Sequence, residues 1–280
     1  MTKSSKKEKS KEVAVVVEHL PSAGAQDFEA HAAAGMEDVS SKDVIIPRLT
    51  LLQTLSPQLN KKKGEYIEGA DIGMICDLGT GDLFPDDLLF LPVHYRKDFL
   101  EWAPRSTGKG LIAIHTDPRV LDTCKKDEKN KMVLPNGNYI AETAQWFGLN
   151  LSAGRRPCYI PMTSTQLKRS RKWMTMAIGE KLVRADGSEF AAPLFYRVYR
   201  LSSATDSNAE GEWATWVINR DVALPDFKSN VDWRQIKAEA VAFRESIIRG
   251  EVKADQVESD QTDSEGPCNV PKRSQRSRRV

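Results

Sequence analysis

The segment that most constrains the fold is the run DLLFLPVHYRKDFLEW at residues 87–102. It is rich in the aromatic and aliphatic residues that favour strands, and it is long for a single strand. Pro92 lies inside it, and proline has no backbone N–H to give to a sheet. The run therefore predicts a long strand with an edge position or a bulge at Pro92.

Further strand and turn signals lie on both sides of this run. DIGMICDLGTGDLF predicts a hairpin with a glycine-rich turn at residues 78–81, and Asn136-Gly137 and Asp186-Gly187 predict tight turns. LFYRVYRLSSA and GEWATWVINR predict two antiparallel strands joined by the polar loop TDSNAE. These signals indicate a protein built mainly from antiparallel strands.

Two segments have helical character instead. TSTQLKRSRKWMTMAI predicts a mid-chain helix that is capped by Thr163 or Ser164 and ends at Gly179. Near the C-terminus, apolar residues recur at helical spacing and Gly250 follows the last of them; they are Trp233, Ile236, Ala240, Phe243 and Ile247. The predicted fold class is mainly β (α+β): an OB-like antiparallel barrel or sheet with these two helices. A β-sandwich fits the same pattern.

The chain divides by composition into a domain and two tails. We predict a disordered basic N-terminal arm at residues 1–42, a single OB-like domain at residues 43–251, and a disordered tail at residues 252–280 that is acidic and then basic. The domain would open with IIPRLTLLQTLSPQL, in which we expect Ile45, Leu49, Leu51 and Leu52 to be buried. The alternative is an arm that docks on a neighbouring subunit.

Composition and motifs weigh against several functional classes. No apolar run approaches the roughly 20 residues of a membrane span, and the patch at residues 13–17 is too short for a signal peptide. The four cysteines are far apart, which favours reduced thiols over disulfides or zinc ligands. STGKG at residues 106–110 lacks the spacing of a phosphate-binding loop, and His115 fits a strand better than a general base. We therefore expect no catalytic site, metal site or cofactor.

What remains is a recurring mixture of cations and aromatic rings. Strand alternation would place Tyr95, Lys97 and Phe99 on one face of the long segment, and Phe195, Arg197 and Tyr199 on one face of a later strand. Single-stranded nucleic acid is bound by such surfaces, because rings stack on bases and cations contact phosphates. The alternative is that the rings belong to the core and the cations to a solvated face.

The mid-chain helix and the first loop add further cations. The helix carries four basic residues within five positions and no acid between them, although a merely solvated face would show the same pattern. The three consecutive lysines of the loop would lie at the lip of the binding groove. The candidate contacts are Lys61, Lys62, Lys63, Tyr95, Arg96, Lys97, Phe99, Trp102, Lys168, Arg169, Arg171, Lys172, Arg197 and Tyr199.

Three of these segments carry a resemblance to a known family. IPRLTLLQTLSPQL with its basic turn, LLFLPVHYRKDFLEW and STQLKRSRKW resemble tailed-bacteriophage proteins that are described as single-stranded DNA-binding proteins of the replication and recombination module. The resemblance covers roughly residues 44–178. It implies an OB-like core that coats phage single strands without a cofactor. Proteins of this class often end in an acidic tail, whereas here basic residues follow the acidic stretch.

The leading expectation is sequence-tolerant coating and protection of single-stranded DNA in the cytoplasm of an infected bacterium. The expected partners are single-stranded DNA, replication proteins recruited through the tail, and further copies of the chain, with no membrane. A virion or assembly protein and a strand-annealing recombination protein are the alternatives. The annealing protein would bind the same ligand but would also accelerate duplex formation.

Both tails are expected to be dispensable for folding, because they lack the apolar content to pack. A chain of residues 43–251 should keep the cooperative thermal unfolding of the full chain, as followed by circular dichroism. Loss of cooperativity on truncation would show that the domain boundaries are wrong.

Overall fold

The computed structural model describes residues 45–128, 130–208 and 211–252, together with residues 27, 29, 31, 32 and 34–38. The predicted tails lie almost entirely outside these residues. The strands are β1 (Leu49–Leu51), β2 (Ile75–Asp77), β3 (Leu83–Phe84), β4 (Asp87–Trp102), β5 (Leu111–His115), β6 (Lys125–Lys126), β7 (Met132–Val133), β8 (Tyr139–Asn150), β9 (Arg156–Thr163), β10 (Lys181–Val183), β11 (Glu189–Ala191), β12 (Arg197–Asn208) and β13 (Gly211–Ala223). The helices are α1 (Gln166–Ile178) and α2 (Trp233–Ile248).

An antiparallel sheet of eight strands forms the centre of the fold. Its order is β13-β12-β4-β8-β7-β6, with β5 added to β4 and β9 added to β8. The sheet curls into a half-barrel, and a bridge between Arg48 and Tyr159 attaches the small β1-β2-β3 sheet beside β9. The predicted mainly β, OB-like architecture with a mid-chain helix and a C-terminal helix is confirmed.

Two glutamine side chains bind the backbone of β13, the edge strand of the sheet. The Gln53 amide donates to the Ala214 carbonyl at 3.0 Å and accepts from the Ala214 N–H at 2.9 Å. The Gln166 amide donates to the same carbonyl at 3.1 Å and accepts from the Trp216 N–H at 3.3 Å. Side-chain amides thus bind backbone groups that a further strand would otherwise pair, and they tie β13 to the segment after β1 and to the start of α1.

Both faces of the sheet are covered, and strand β8 shows this most clearly. Trp146 points to the α1 side, where its ring stacks on Trp173 with centroids 4.0 Å apart and an interplanar angle of 11°. Phe147 and Leu149 belong to the second core cluster, together with Ile236 of α2. Because adjacent residues of a strand point to opposite faces, apolar residues at consecutive positions are buried on both sides.

The irregularity predicted at Pro92 is confirmed as a bulge. The register between β4 and β8 shifts between Pro92 and His94, and Pro92 lies opposite Gly148. Gly148 leaves no room for a side chain, since a Cβ built there would lie 2.4 Å from the Leu91 carbonyl oxygen and 2.4 Å from the Phe90 ring. The close approach of the two strands at the bulge therefore requires glycine at position 148.

Most of the predicted turns and helix faces are confirmed. Asn136-Gly137 connects β7 to β8 and Asp186-Gly187 connects β10 to β11, with positive φ at both glycines. α2 buries Ile236 and three of the other predicted apolar residues, and Asp232 caps it by accepting from the Arg234 N–H at 3.0 Å. No helix among the described residues is long and apolar enough to span a membrane.

Three local predictions are wrong. Ile45 is 62% exposed, although Leu49, Leu51 and Leu52 are buried as expected. The residue at the N-cap of α1 is Thr165, and its side chain makes no capping hydrogen bond. The polar loop predicted between β12 and β13 is shorter than expected, because pairing across the hairpin extends β12 to Asn208.

Replacing Gly148 with alanine should destabilise the protein, because the added Cβ collides with backbone and with a buried ring. We expect a loss of about 1–3 kcal/mol or more in the free energy of unfolding, measured by urea denaturation. Gly64→Ala is the matched control: its Cβ would meet nothing within 4 Å and its φ is not positive. Equal stability of the two variants would contradict the tight packing at the bulge.

Candidate nucleic-acid interface

Helix α1 is fixed on the sheet by its buried face. Trp173 stacks on Trp146, and the Trp146 indole N–H donates to the Ser170 hydroxyl at 2.9 Å. All three side chains are buried. The opposite face of the helix is consequently held in one orientation toward solvent.

That solvent-facing side and the neighbouring part of β4 carry a cluster of cations, which we call the basic ridge and define as Lys97 of β4 and Lys168, Arg171 and Lys172 of α1. All four are exposed. Glu142 of β8 accepts from Lys97 at 2.7 Å and lies 3.9 Å from Arg171. Neither Lys168 nor Lys172 has an acidic partner among the described residues. The ridge thus has four cations to one carboxylate.

Three other predicted cations have structural partners. Arg96 pairs with Asp98 at 2.9 Å and lies over the Phe147 ring, and Arg197 pairs with Glu180 at 3.0 Å. Arg169 reaches the β12–β13 hairpin, where it contacts Asp206 and Thr215 at 3.3 Å. These guanidinium groups join elements of the fold, and they offer less free charge than the ridge does.

The lysines at 61–63 are exposed, as predicted, in the loop between β1 and β2. Lys61 lies 6.0 Å from the centroid of the Tyr66 ring, within the same loop. The described contacts do not join these lysines to the basic ridge. The placement of this loop at the lip of a groove stays a prediction.

The structure corrects the expectation that the predicted rings form an open stacking surface. Phe99, Trp102 and Tyr199 are 3%, 2% and 1% exposed, so their faces are not accessible. For Tyr199 the physical reason is that this face of the sheet is covered: the ring packs in the core beneath α1, edge-on to Trp173. Tyr95 is only half-buried and meets the Trp146 ring edge-on, with centroids 5.0 Å apart.

Two polar clusters had no signal in the sequence. Glu101 accepts from Asn138 at 2.6 Å and from Asn136 at 3.1 Å, and it meets the His115 ring at 2.8 Å. Hydrogen bonds, chiefly from Asn138, hold the pKa of Glu101 below its ordinary value, although burial acts in the opposite direction. His115 lies in a strand as expected, and the cluster connects β4 and β5 to the β7–β8 turn.

The second cluster explains the turn LGTGD. Arg156 donates to Asp77 at 3.1 Å, to Thr80 at 2.9 Å and to Asp82 at 2.8 Å. Asp77 also accepts from the N–H of Gly79 and of Thr80. Hydrogen bonding from Arg156 lowers the pKa of Asp82. Among the described residues, no group of three or more His, Cys, Asp or Glu side chains is arranged to hold a metal ion.

Replacing Phe99 with alanine tests the assignment of this ring to the core. We expect the free energy of unfolding to fall by about 3–5 kcal/mol. The control is Ile112→Ala on the adjacent strand, where the residue is 46% exposed and the loss should be about 1 kcal/mol or less. A Phe99→Ala variant of normal melting temperature that fails to bind oligonucleotides would place the ring at the interface instead.

Comparison with known proteins gives one match that covers most of the chain. The profile of the Pam3 phage gp34-like protein family matches residues 11–253. No curated protein and no solved structure matches. The match includes β1 to β13, both helices and every residue of the basic ridge. The chain therefore belongs to the Pam3 phage gp34-like protein family, a family of bacteriophage proteins.

Proposed function

We propose that this phage protein binds single-stranded nucleic acid through the phosphate groups that contact its basic ridge. In an infected bacterium this would coat and protect single strands during phage replication or recombination, in the host cytoplasm. The observation that carries the proposal is the uncompensated charge of the ridge on a helix that is rigidly held. Membership of a phage family supports the biological setting.

The arrangement of charge on α1 has a cost in the free protein. Lys168 is three residues from Arg171 and four from Lys172, and like charges at these spacings destabilise a helix by a few tenths of a kcal/mol each. A polyanion along this face would reverse the sign of that interaction. The stacked Trp146–Trp173 pair keeps the cations in place before the ligand arrives, which reduces the ordering cost of binding.

Burial of Phe99, Trp102 and Tyr199 changes the form of the proposal. Binding would depend more on phosphate contacts, and less on base stacking, than the sequence alone suggested. Such binding tolerates any sequence and weakens steeply with salt, because each neutralised phosphate releases counterions.

A structural role in the phage particle or its assembly is the second candidate. Strand β5 has β4 as its one strand partner in the described part of the chain, and Ile112 and Ile114 on it are 46% and 47% exposed. An apolar edge strand without charges is a ready site for pairing with another chain. This candidate would leave the basic ridge without a nucleic-acid ligand.

The salt dependence of binding tests the ridge. In fluorescence-anisotropy titrations with a single-stranded oligonucleotide, log Kd plotted against log salt should have a slope set by the phosphates neutralised, about 0.7 for each. Lys168→Gln together with Lys172→Gln should lower that slope by about 1.4, because two phosphate contacts are lost.

Lys125→Gln together with Lys126→Gln is the matched control. This pair removes two adjacent exposed lysines from β6, at the far end of the sheet, and should leave the slope unchanged. If both pairs of substitutions lowered the slope equally, binding would depend on total charge and not on the ridge, which would contradict the ridge as the binding site. A flat titration with the unaltered protein, or absence of binding, would refute the proposed function and favour the structural role.

A further inference from the structure

The sheet has a gap beside β4. β12 pairs with β4 at Asp87–Phe90, and β5 pairs with it at Phe99–Trp102. Both strands lie on the side of β4 that faces away from β8. Between them, residues 91–98 have no strand partner on that side within the described chain. Every second residue of such a stretch directs its backbone N–H and C=O into the gap.

A cleft of about 480 Å³ opens at this gap. Val93, His94 and Tyr95 line it from β4, Pro193, Leu194 and Phe195 from the segment before β12, and Arg244 from α2. The volume lies within the range of about 300–1,000 Å³ found for small-molecule sites. The cleft is mostly apolar, and a few polar groups converge on it, as such sites require.

The lining of the cleft has a distinct chemistry. His94, Tyr95 and Phe195 are half-buried, so each ring keeps part of its surface open. Burial lowers the pKa of His94, and the charges of Arg244 and Arg96 lower it further, so both effects favour the neutral imidazole. Arg244 is exposed and has no acidic partner among the described residues. Planar apolar surface therefore lies beside an unneutralised guanidinium.

We infer that this cleft binds a nucleotide, with its base against the rings of His94 and Phe195 and its phosphate on Arg244. A planar base matches the rings, and backbone groups in the gap can hydrogen-bond to its edge. Guanidinium binds phosphate in bidentate geometry, and that interaction is stronger beside apolar walls than in water.

The cleft and the basic ridge lie on opposite faces of β4 and meet at the gap. Tyr95 shares the α1 side with Lys97, about 6.6 Å away at strand spacing, and packs against Trp146, whereas His94 and Arg244 lie on the α2 side. A strand lying on the ridge could thus reach the cleft by passing one base through the gap in the sheet. This step of the inference rests on the proposed function, whereas binding of a free nucleotide does not.

An added peptide strand is the other ligand that an open sheet edge can take. The short 3₁₀ helix Leu194–Tyr196 argues against it, because this helix packs against β4 and its residues line the cleft. The space left suits a ring better than an extended chain.

The test is a titration of the full-length ¹⁵N-labelled protein with deoxyadenosine monophosphate, and separately with inorganic phosphate, followed by NMR. We expect the nucleotide to shift the amide signals of residues 93–95 and to bind at least about tenfold more tightly than phosphate. Arg244→Gln should weaken nucleotide binding about tenfold, as expected for loss of a charge-assisted contact. Lys237→Gln is the control: it removes an exposed charge two turns away on α2 that does not line the cleft.

The possible results separate this inference from the proposed function. Equal binding of phosphate and nucleotide, or equal effects of Arg244→Gln and Lys237→Gln, would overturn the cleft as a nucleotide site. Nucleotide binding that depends on Arg244, together with no binding of single strands, would keep the cleft and refute the ridge. If both bind, an oligonucleotide with one abasic position should lose affinity in the unaltered protein and less in Arg244→Gln, whereas a loss independent of Arg244 would refute base insertion from the strand.

Discussion

The contact between Trp146 and Trp173 underlies the arrangement of the candidate site. It joins the centre of the sheet to α1, and its two rings bury a large apolar area while the Trp146 N–H is satisfied by Ser170. Phe90 and Tyr199 meet Trp173 edge-on with centroids 5.7 and 5.4 Å away, so four aromatic rings share one cluster. The basic ridge owes its fixed position to this cluster, because α1 carries most of its cations on the opposite side.

The same packing explains which features of the structure could be predicted from the sequence alone. Local signals gave reliable predictions: Pro92 marked the bulge, Asn136-Gly137 marked a turn, and the spacing of Ile236 and Ala240 marked the buried face of α2. Each depends on a property of one residue or on a period within one helix. Such signals do not require knowledge of what lies across the sheet.

The roles of the aromatic residues could not be obtained in this way. The alternation around Tyr95 and Phe99 is the same whether one face is a binding surface or both faces are core. The choice depends on elements that are distant in sequence, such as α1, whose Trp173 packs on Tyr199. Two further features were missed for the same reason: the hydrogen bonds of Gln53 and Gln166 to β13, and the cleft at Arg244. Each joins residues that are far apart in the chain.

The candidate interface thus separates two tasks that the sequence seemed to combine. Charge lies on the outer face of α1, where repulsion between cations is tolerated because buried rings fix the helix. Accessible aromatic surface lies instead at the gap in the sheet, along the stretch of β4 that pairs with neither β12 nor β5. Buried rings such as Phe99, Trp102 and Tyr199 stabilise a fold but have no free face to offer a base. A break in the sheet ladder leaves such a face open at His94 and Phe195, across β4 from the basic ridge.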